Sequence, residues 1–171
     1  MLEIKKSDIN DLDLIRSIAI NTFVESFANE NSNENMELYL KNNLSISKLK
    51  AEFEDPDALF FLAYFDAEAV AYLKLNLGEE QTLGFGTKSI EIERIYVLSS
   101  FQHRQIGKAL LNKTIEIAKV HSKRQICLGV WEKNHKAISF YKKHGFREIG
   151  QHVFMLGNDA QNDLLMQLDL L

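Results

Sequence analysis

One stretch, Ile92–Leu111 (IERIYVLSSFQHRQIGKALL), limits what this chain can fold into more than any other, because it changes period without a spacer. Its first part alternates as a strand does. From Ile106 onward, apolar residues recur at helical spacing: Ile106, Ala109, Leu110, Thr114 and Ile117. A strand that runs through a short polar loop straight into an amphipathic helix delivers the loop's backbone amides to the helix's amino end. There the first N–H groups lack carbonyl partners and the peptide dipoles add positive potential, which Arg104 and Lys108 reinforce. The loop Gln102, His103, Arg104, Gln105, Ile106, Gly107, Lys108 is therefore suited to a phosphate or pyrophosphate.

The strand part carries its own signal. Alternation holds through Ile90, Glu91, Ile92 and Glu93, then fails at Arg94, after which Ile95 and Val97 take over the opposite phase. An inserted residue produces such a switch, so a β-bulge is expected near Glu93–Ile95.

Gln102-x-x-Gln105-x-Gly107-Lys108-Ala109 resembles the acetyl-CoA signature of the Gcn5-related N-acetyltransferases, with Gln105 standing where that family normally has its first glycine. Asn134, Phe140-Tyr141 and Gly145-Phe146 resemble its second cofactor motif, and the two motifs occur in the family's order. Within the family, Ile-Glu-Arg-Ile-Tyr-Val, Leu-Gly-Val-Trp-Glu-Lys-Asn and Gln161-Asn-Asp-Leu-Leu-Met are most similar to the PaiA-type bacterial polyamine acetyltransferases. The resemblance implies an α/β (α+β) fold: a mixed, mostly antiparallel central sheet flanked by helices, opened into a V beside the strand ending at Val97. It implies acetyl-CoA as cosubstrate, with Ile95, Tyr96 and Val97 holding the pantetheine arm as an added strand would be held. Asn134, Phe140 and Tyr141 join the loop as cofactor contacts.

The remaining chain fits one domain over residues 1–171, long enough to bury a core without disulfides. Leu2–Lys6 reads as a strand, followed by capping residues and a helix with the stripe Ile9, Leu12, Ile15, Ala19 and Phe23. Asn29–Asn35 reads as a loop before short helices around Met36–Leu40 and Ile46–Phe53, the second ended by Asp55-Pro56-Asp57. The acids Glu25, Glu30, Glu34 and Glu37 read as a solvated face, with binding of an amine as the alternative. Ala58–Phe65 and Val70–Leu77 form a hairpin pattern, the second strand setting Leu73, Leu75 and Leu77 against Lys74 and Asn76. Gly84-Phe85-Gly86 is a turn. Gln125–Trp131 is a buried strand; Asn134 can cap a helix that Gly145 ends; and Phe146–Leu156 and Leu164–Leu170 make a final antiparallel pair about a Gly157–Gln161 turn region.

A net charge of −4 argues against nucleic acid or an anionic membrane as partner and suits a small cationic amine. The oligomeric state is left open, a homodimer included. The single Cys127 lies in an apolar run as an inert thiol, which fits a reducing cytoplasm; no run is long enough to span a membrane, and the start lacks a signal peptide's pattern. The five histidines have no ligand-like grouping, so no metal is expected.

Acetyl transfer to an amine needs a held thioester, a neutral nitrogen, a stabilised oxyanion and a proton for the departing thiolate. An alkylammonium has a pKa near ~10.4, so a group must take its proton at neutral pH. Glu93 is the candidate, directly or through a water, unless Glu91 and Glu93 are simply solvent-facing acids. Tyr141 is, by the resemblance, the candidate general acid. The expected activity is acetyl-CoA-dependent acetylation of a small amine such as spermidine. A protein or peptide N-acetyltransferase and a non-catalytic acetyl-CoA-binding module are the alternatives.

Overall fold

The alternating start of the chain forms an edge strand, β1 (Leu2–Lys6), and Asp8 then closes a capping box with Asp11 over a 3₁₀ turn that leads into α1 (Leu12–Phe27). This is a computed structural model, and it describes residues 1–171. Leu12, Ile15, Ile18, Ala19, Phe23 and Phe27 line the buried face of α1. Ile9 departs from the expected stripe. It lies in the tighter 3₁₀ turn, which rotates it off the helix face and leaves it 45% exposed.

Helix α2 (Asn33–Asn43) starts inside the stretch expected to be a loop, because Ser32 caps it by accepting from the amide of Asn35 at 3.2 Å. Ser45 does the same for α3 (Ile46–Glu54). Strands β2 (Ala58–Phe65) and β3 (Glu68–Asn76) join through Asp66-Ala67, both at positive φ, the geometry of a two-residue hairpin turn. Then come β4 (Ser89–Val97), α4 (Ile106–Val120), β5 (Gln125–Trp131), α5 (His135–Lys143), β6 (Arg147–Leu156) and β7 (Asp159–Asp169).

These strands form one seven-stranded sheet in the order β1-β2-β3-β4-β5-β7-β6. Only β4 and β5 run parallel, and α4 is their crossover. The bulge is present: Lys74 pairs with Arg94 and Leu75 with Ile92, so Glu93 is the extra residue. It keeps Ile90, Ile92, Ile95 and Val97 on one face although their sequence phase changes. That face carries the core beneath α4 and α5; the other packs on α1, α2 and α3 through Phe60, Leu62, Tyr72 and Trp131.

The β4–β5 ladder covers only Ser89–Ile92 against Gln125–Leu128. Past Ile92 the strands part, which opens the V beside the strand ending at Val97. The last hairpin turns more tightly than the sequence suggests: Gly157-Asn158 alone make the turn, and β7 begins at Asp159 rather than Leu164. The polar run Gln161–Asp163 hides this strand start, since it lacks apolar alternation. The hairpin tip docks on α2, where Asn158 donates its amide to Asn35 Oδ1 at 2.9 Å.

Gly157 has φ +61°, and a Cβ there would come within 2.7 Å of the Asn35 Cα. Gly157→Ala should therefore cost about 2–3 kcal/mol of stability, from left-handed strain and overpacking together. Urea unfolding measures this; an unchanged midpoint would show that the tip is not clamped to α2.

Candidate active site

Because Glu93 is an inserted residue, it and Arg94 project from the same face of β4, and this creates a buried ionic network. Arg94 donates both terminal nitrogens to Glu52 on α3, at 2.8 and 3.0 Å. Lys74, only 1% exposed, ion-pairs with Glu93 and lies 3.3 Å from Glu52 and 3.7 Å from Glu80. Burial alone would raise the Glu93 carboxyl, but Arg94, Lys74 and hydrogen bonds from Lys74 and Asn76 outweigh it and hold Glu93 below the usual carboxylate range. Lys74 and Asn76, the polar side of the β3 alternation, are thus not solvent-facing: α3 and the loop after β3 cover them.

Glu91 and Glu93 are not solvent-facing acids either. Glu91 is 1% exposed and accepts from Asn76 Nδ2, the Thr82 amide and hydroxyl, and the Leu83 amide at 2.8–3.1 Å. All its donors are neutral, so its charge has no cation against it.

Where β4 and β5 part, a cavity of about 310 Å³ opens on the α1–α2 side. Its walls are aromatic. Phe23 stacks on Tyr39 with centroids 4.1 Å apart, and Phe27 meets Trp131 at 5.6 Å. Of the residues expected at the site, Glu93, Ile95, Tyr96, Asn134 and Tyr141 line this cavity. Val97, Ile106 and Phe140 do not: they pack on the core of the opposite face. Asn134 caps α5 through the Ala137 amide at 3.2 Å, which aims the helix that carries Tyr141. Burial alone pushes the Tyr141 phenol well up, with no hydrogen-bonded group of the protein acting on it. It is therefore protonated at neutral pH.

The loop lies at the other end of the V. Gln105 occupies the left-handed region at φ 62°, is the N-cap of α4, and provides no side-chain cap, so the first-turn amides are left for another acceptor. His103, Arg104, Gln105 and Lys108 are exposed. The Arg104 guanidinium lies over the Phe65 and Phe101 rings at 5.1 and 5.2 Å, and Lys136 hydrogen-bonds Gln102. Phe140 braces the helix start: a Cβ on Gly107 would meet its ring at 3.6 Å. An uncapped amino end, exposed basic side chains and an unpaired strand edge suit the pyrophosphate and pantetheine of a coenzyme A thioester.

Several residues of the cavity have no role assigned from the sequence, although Asp163 falls within the Gln161–Met166 segment that resembles the PaiA-type enzymes. Asp163, His152, Tyr39 and Phe154 reach it from strands and a helix far away in sequence. Of Glu25, Glu30, Glu34 and Glu37, none lines it; Glu25 accepts from the Ser99 amide and hydroxyl at 2.9 and 3.0 Å.

The chain belongs to the acetyltransferase (GNAT) family, whose model matches residues 19–146, and it is an acetyl-CoA-dependent N-acetyltransferase. It is 37% identical over 98% of both chains to an uncharacterised N-acetyltransferase of Lactobacillus delbrueckii subsp. lactis. A spermidine N(1)-acetyltransferase of Thermoplasma acidophilum is 27% identical, with 85% of this chain and 88% of the relative covered. The structure superposes on the PaiA N-acetyltransferase of Thermoplasma acidophilum in complex with coenzyme A with a TM-score of 0.82, at 25% identity over 99% of each chain. No helix is long and apolar enough to cross a membrane.

Gln105 takes a backbone conformation that glycine adopts without strain. Gln105→Gly should therefore stabilise the fold by about 0.5–1 kcal/mol, strain relief slightly exceeding the added chain entropy, and leave coenzyme A affinity undiminished. Urea unfolding and titration calorimetry with coenzyme A measure the two; weaker binding would make the Gln105 side chain a cofactor contact.

Proposed function

We propose that this enzyme acetylates a primary amine at the end of a small polycation, with polyamines such as spermidine as the substrate class. The observation that carries this reading is the charge of the aromatic cavity beside the splayed strand. Lys74 and Arg94 are paired with Glu52 and Glu93, whereas Glu91 meets only neutral donors and Asp163 Oδ1 is buried without a hydrogen-bond partner. The cavity is left with uncompensated negative charge, and its aromatic faces favour a cation as well. The relationship to a spermidine N(1)-acetyltransferase agrees with this choice.

The roles follow from position. Acetyl-CoA supplies the activated acetyl group. The amides of Gln102–Lys108 hold its pyrophosphate, and the free edge at Ile95–Val97 receives the pantetheine arm and offers an N–H to the carbonyl oxygen. Tyr141 gives its hydroxyl proton to the departing thiolate. Glu93 holds Lys74 and Arg94 in place rather than taking the amine's proton, since its ion pair with Lys74 makes it a weak proton acceptor. A free, buried Cys127 is compatible with work in a reducing cytoplasm.

Thiol release measured against polyamines, amino acids, aminoglycosides and peptides tests the substrate class. Polyamines should give the highest kcat/KM, and KM should rise with ionic strength as the cavity's charge is screened. A preference for peptides would reject the polycation reading. On the best amine, Tyr141→Phe should lower kcat and kcat/KM alike by about 10²-fold with coenzyme A affinity unchanged, as befits a transition-state proton donor. Wild-type turnover would leave Tyr141 as packing only.

A further inference from the structure

Glu93 is tied to Lys74, and Glu91 is saturated by neutral donors, so the amine's proton needs another acceptor. One carboxylate in the cavity remains free. Asp163 on β7 pairs across the sheet with Trp131 on β5 and with His152 on β6, and its Oδ1 is buried without a hydrogen-bond partner. Such an atom costs free energy unless a ligand or water satisfies it. Its other oxygen leans over β5: a Cβ on Gly129 would lie 3.3 Å from Asp163 Oδ2. Gly129 directly follows Leu128, the last β5 residue paired with β4. The missing side chain at 129 thus lets the carboxylate reach the root of the V, where β4 and β5 separate.

We propose that Asp163 is the proton acceptor of the reaction, receiving the substrate's ammonium at the root of the V. This rests on the proposed acetylation of a cationic amine. The ammonium's N–H bond breaks and its proton passes to the Asp163 carboxylate, leaving the electron pair on nitrogen. That pair forms the N–C bond to the acetyl carbon; the C–S bond breaks, its electrons stay on sulfur, and sulfur takes the Tyr141 proton. The second nitrogen proton restores the Tyr141 hydroxyl by way of water, and Asp163 returns its proton to solvent. The products are the amide, the free thiol and one proton.

The surroundings suit this role. The titratable and charged groups that share the cavity are His152 on β6, Tyr39 on α2, Tyr72 on β3, Tyr141 on α5, and Glu91, Glu93, Arg94 and Tyr96 on β4; the β5 wall, Leu128–Trp131, contributes none. Burial pushes the Asp163 carboxyl up to about 6, and His152 pulls it back down. A carboxyl in that range is ionised at neutral pH and more basic than an ordinary aspartate. The direction is fixed: the accepting form exists above the pKa and is lost as pH falls through it.

The test is kcat/KM against pH on the best amine for wild type, Asp163→Asn, Asp163→Glu and His152→Gln, each with a melting curve and a coenzyme A titration. Wild type should lose activity below about pH 6. Asp163→Asn should fall about 10²-fold at pH 7, lose that acidic limb, and recover toward pH 10 as the amine deprotonates by itself. Asp163→Glu should keep a limb. His152→Gln, altered at an exposed position, should move the limb to higher pH, and it decides the matter should Asp163→Asn not fold. Unchanged rates and an unchanged limb in Asp163→Asn, or a limb that ignores His152→Gln, would overturn the assignment. A wild-type enzyme that releases no thiol with any amine of the panel would instead reject the proposed function, and this inference with it.

Discussion

One additional residue in β4 governs the arrangement of this molecule. Without Glu93 as a bulge, Ile95 and Val97 would turn away from the core that Ile90 and Ile92 enter, and the ladder would have no local reason to bend. With it, two successive side chains share the opposite face, and both meet charges supplied by α3 and β3. Taking such charges out of water costs several kcal/mol each unless they are paired. Here Arg94 and Lys74 share Glu52 and Glu93, and removing Arg94 would take from Glu52 its two charge-assisted hydrogen bonds in a dry site. The network therefore ties α3 to the sheet, and it leaves the cavity's excess negative charge to Glu91 and Asp163.

Much of the fold was legible because its signals are local. The phase change across Arg94 marked the bulge, the step from strand to helical period marked the loop, and Asn134 and Gly145 sit where a cap and a stop belong: Asn134 accepts from the Ala137 amide, and Phe146 donates back to the Tyr141 carbonyl. Non-local features were hidden. Alternation in β3 separated Lys74 and Asn76 from the leucines but could not say that the second face is also covered. Asp163 sat in the polar gap between the expected turn region, Gly157–Gln161, and the expected strand, Leu164–Leu170; its place in the cavity depends on β7 pairing with Trp131 and on a glycine at 129, neither of which spacing encodes. The Ser32 cap was likewise submerged in a polar segment, where many side chains could have capped.

Gln105 shows how a motif can depart from its pattern and retain its geometry. The left-handed conformation costs a residue with a Cβ about 1–2 kcal/mol, yet Gln105 holds it at φ 62° with an exposed side chain. The neighbouring structure supplies the constraint: Lys136 holds Gln102, Phe140 packs on Gly107, and the aromatic rings of Phe65 and Phe101 support Arg104. Strain of this size persists where surroundings over-determine the backbone.

The brevity of the β4–β5 ladder has a mechanical consequence. Strands β1–β4 and β5–β7 are stitched together at four residue pairs, whereas β5 and β7 share seven. The middle of the sheet is its weakest seam, held mostly by α4 lying across it. Under load, or in the slow opening that amide exchange records, the two leaves should come apart there before either loses its own hairpins. A guest arm lying along the unpaired edge would lengthen the same seam, so substrate occupancy and the cohesion of the whole sheet become one quantity.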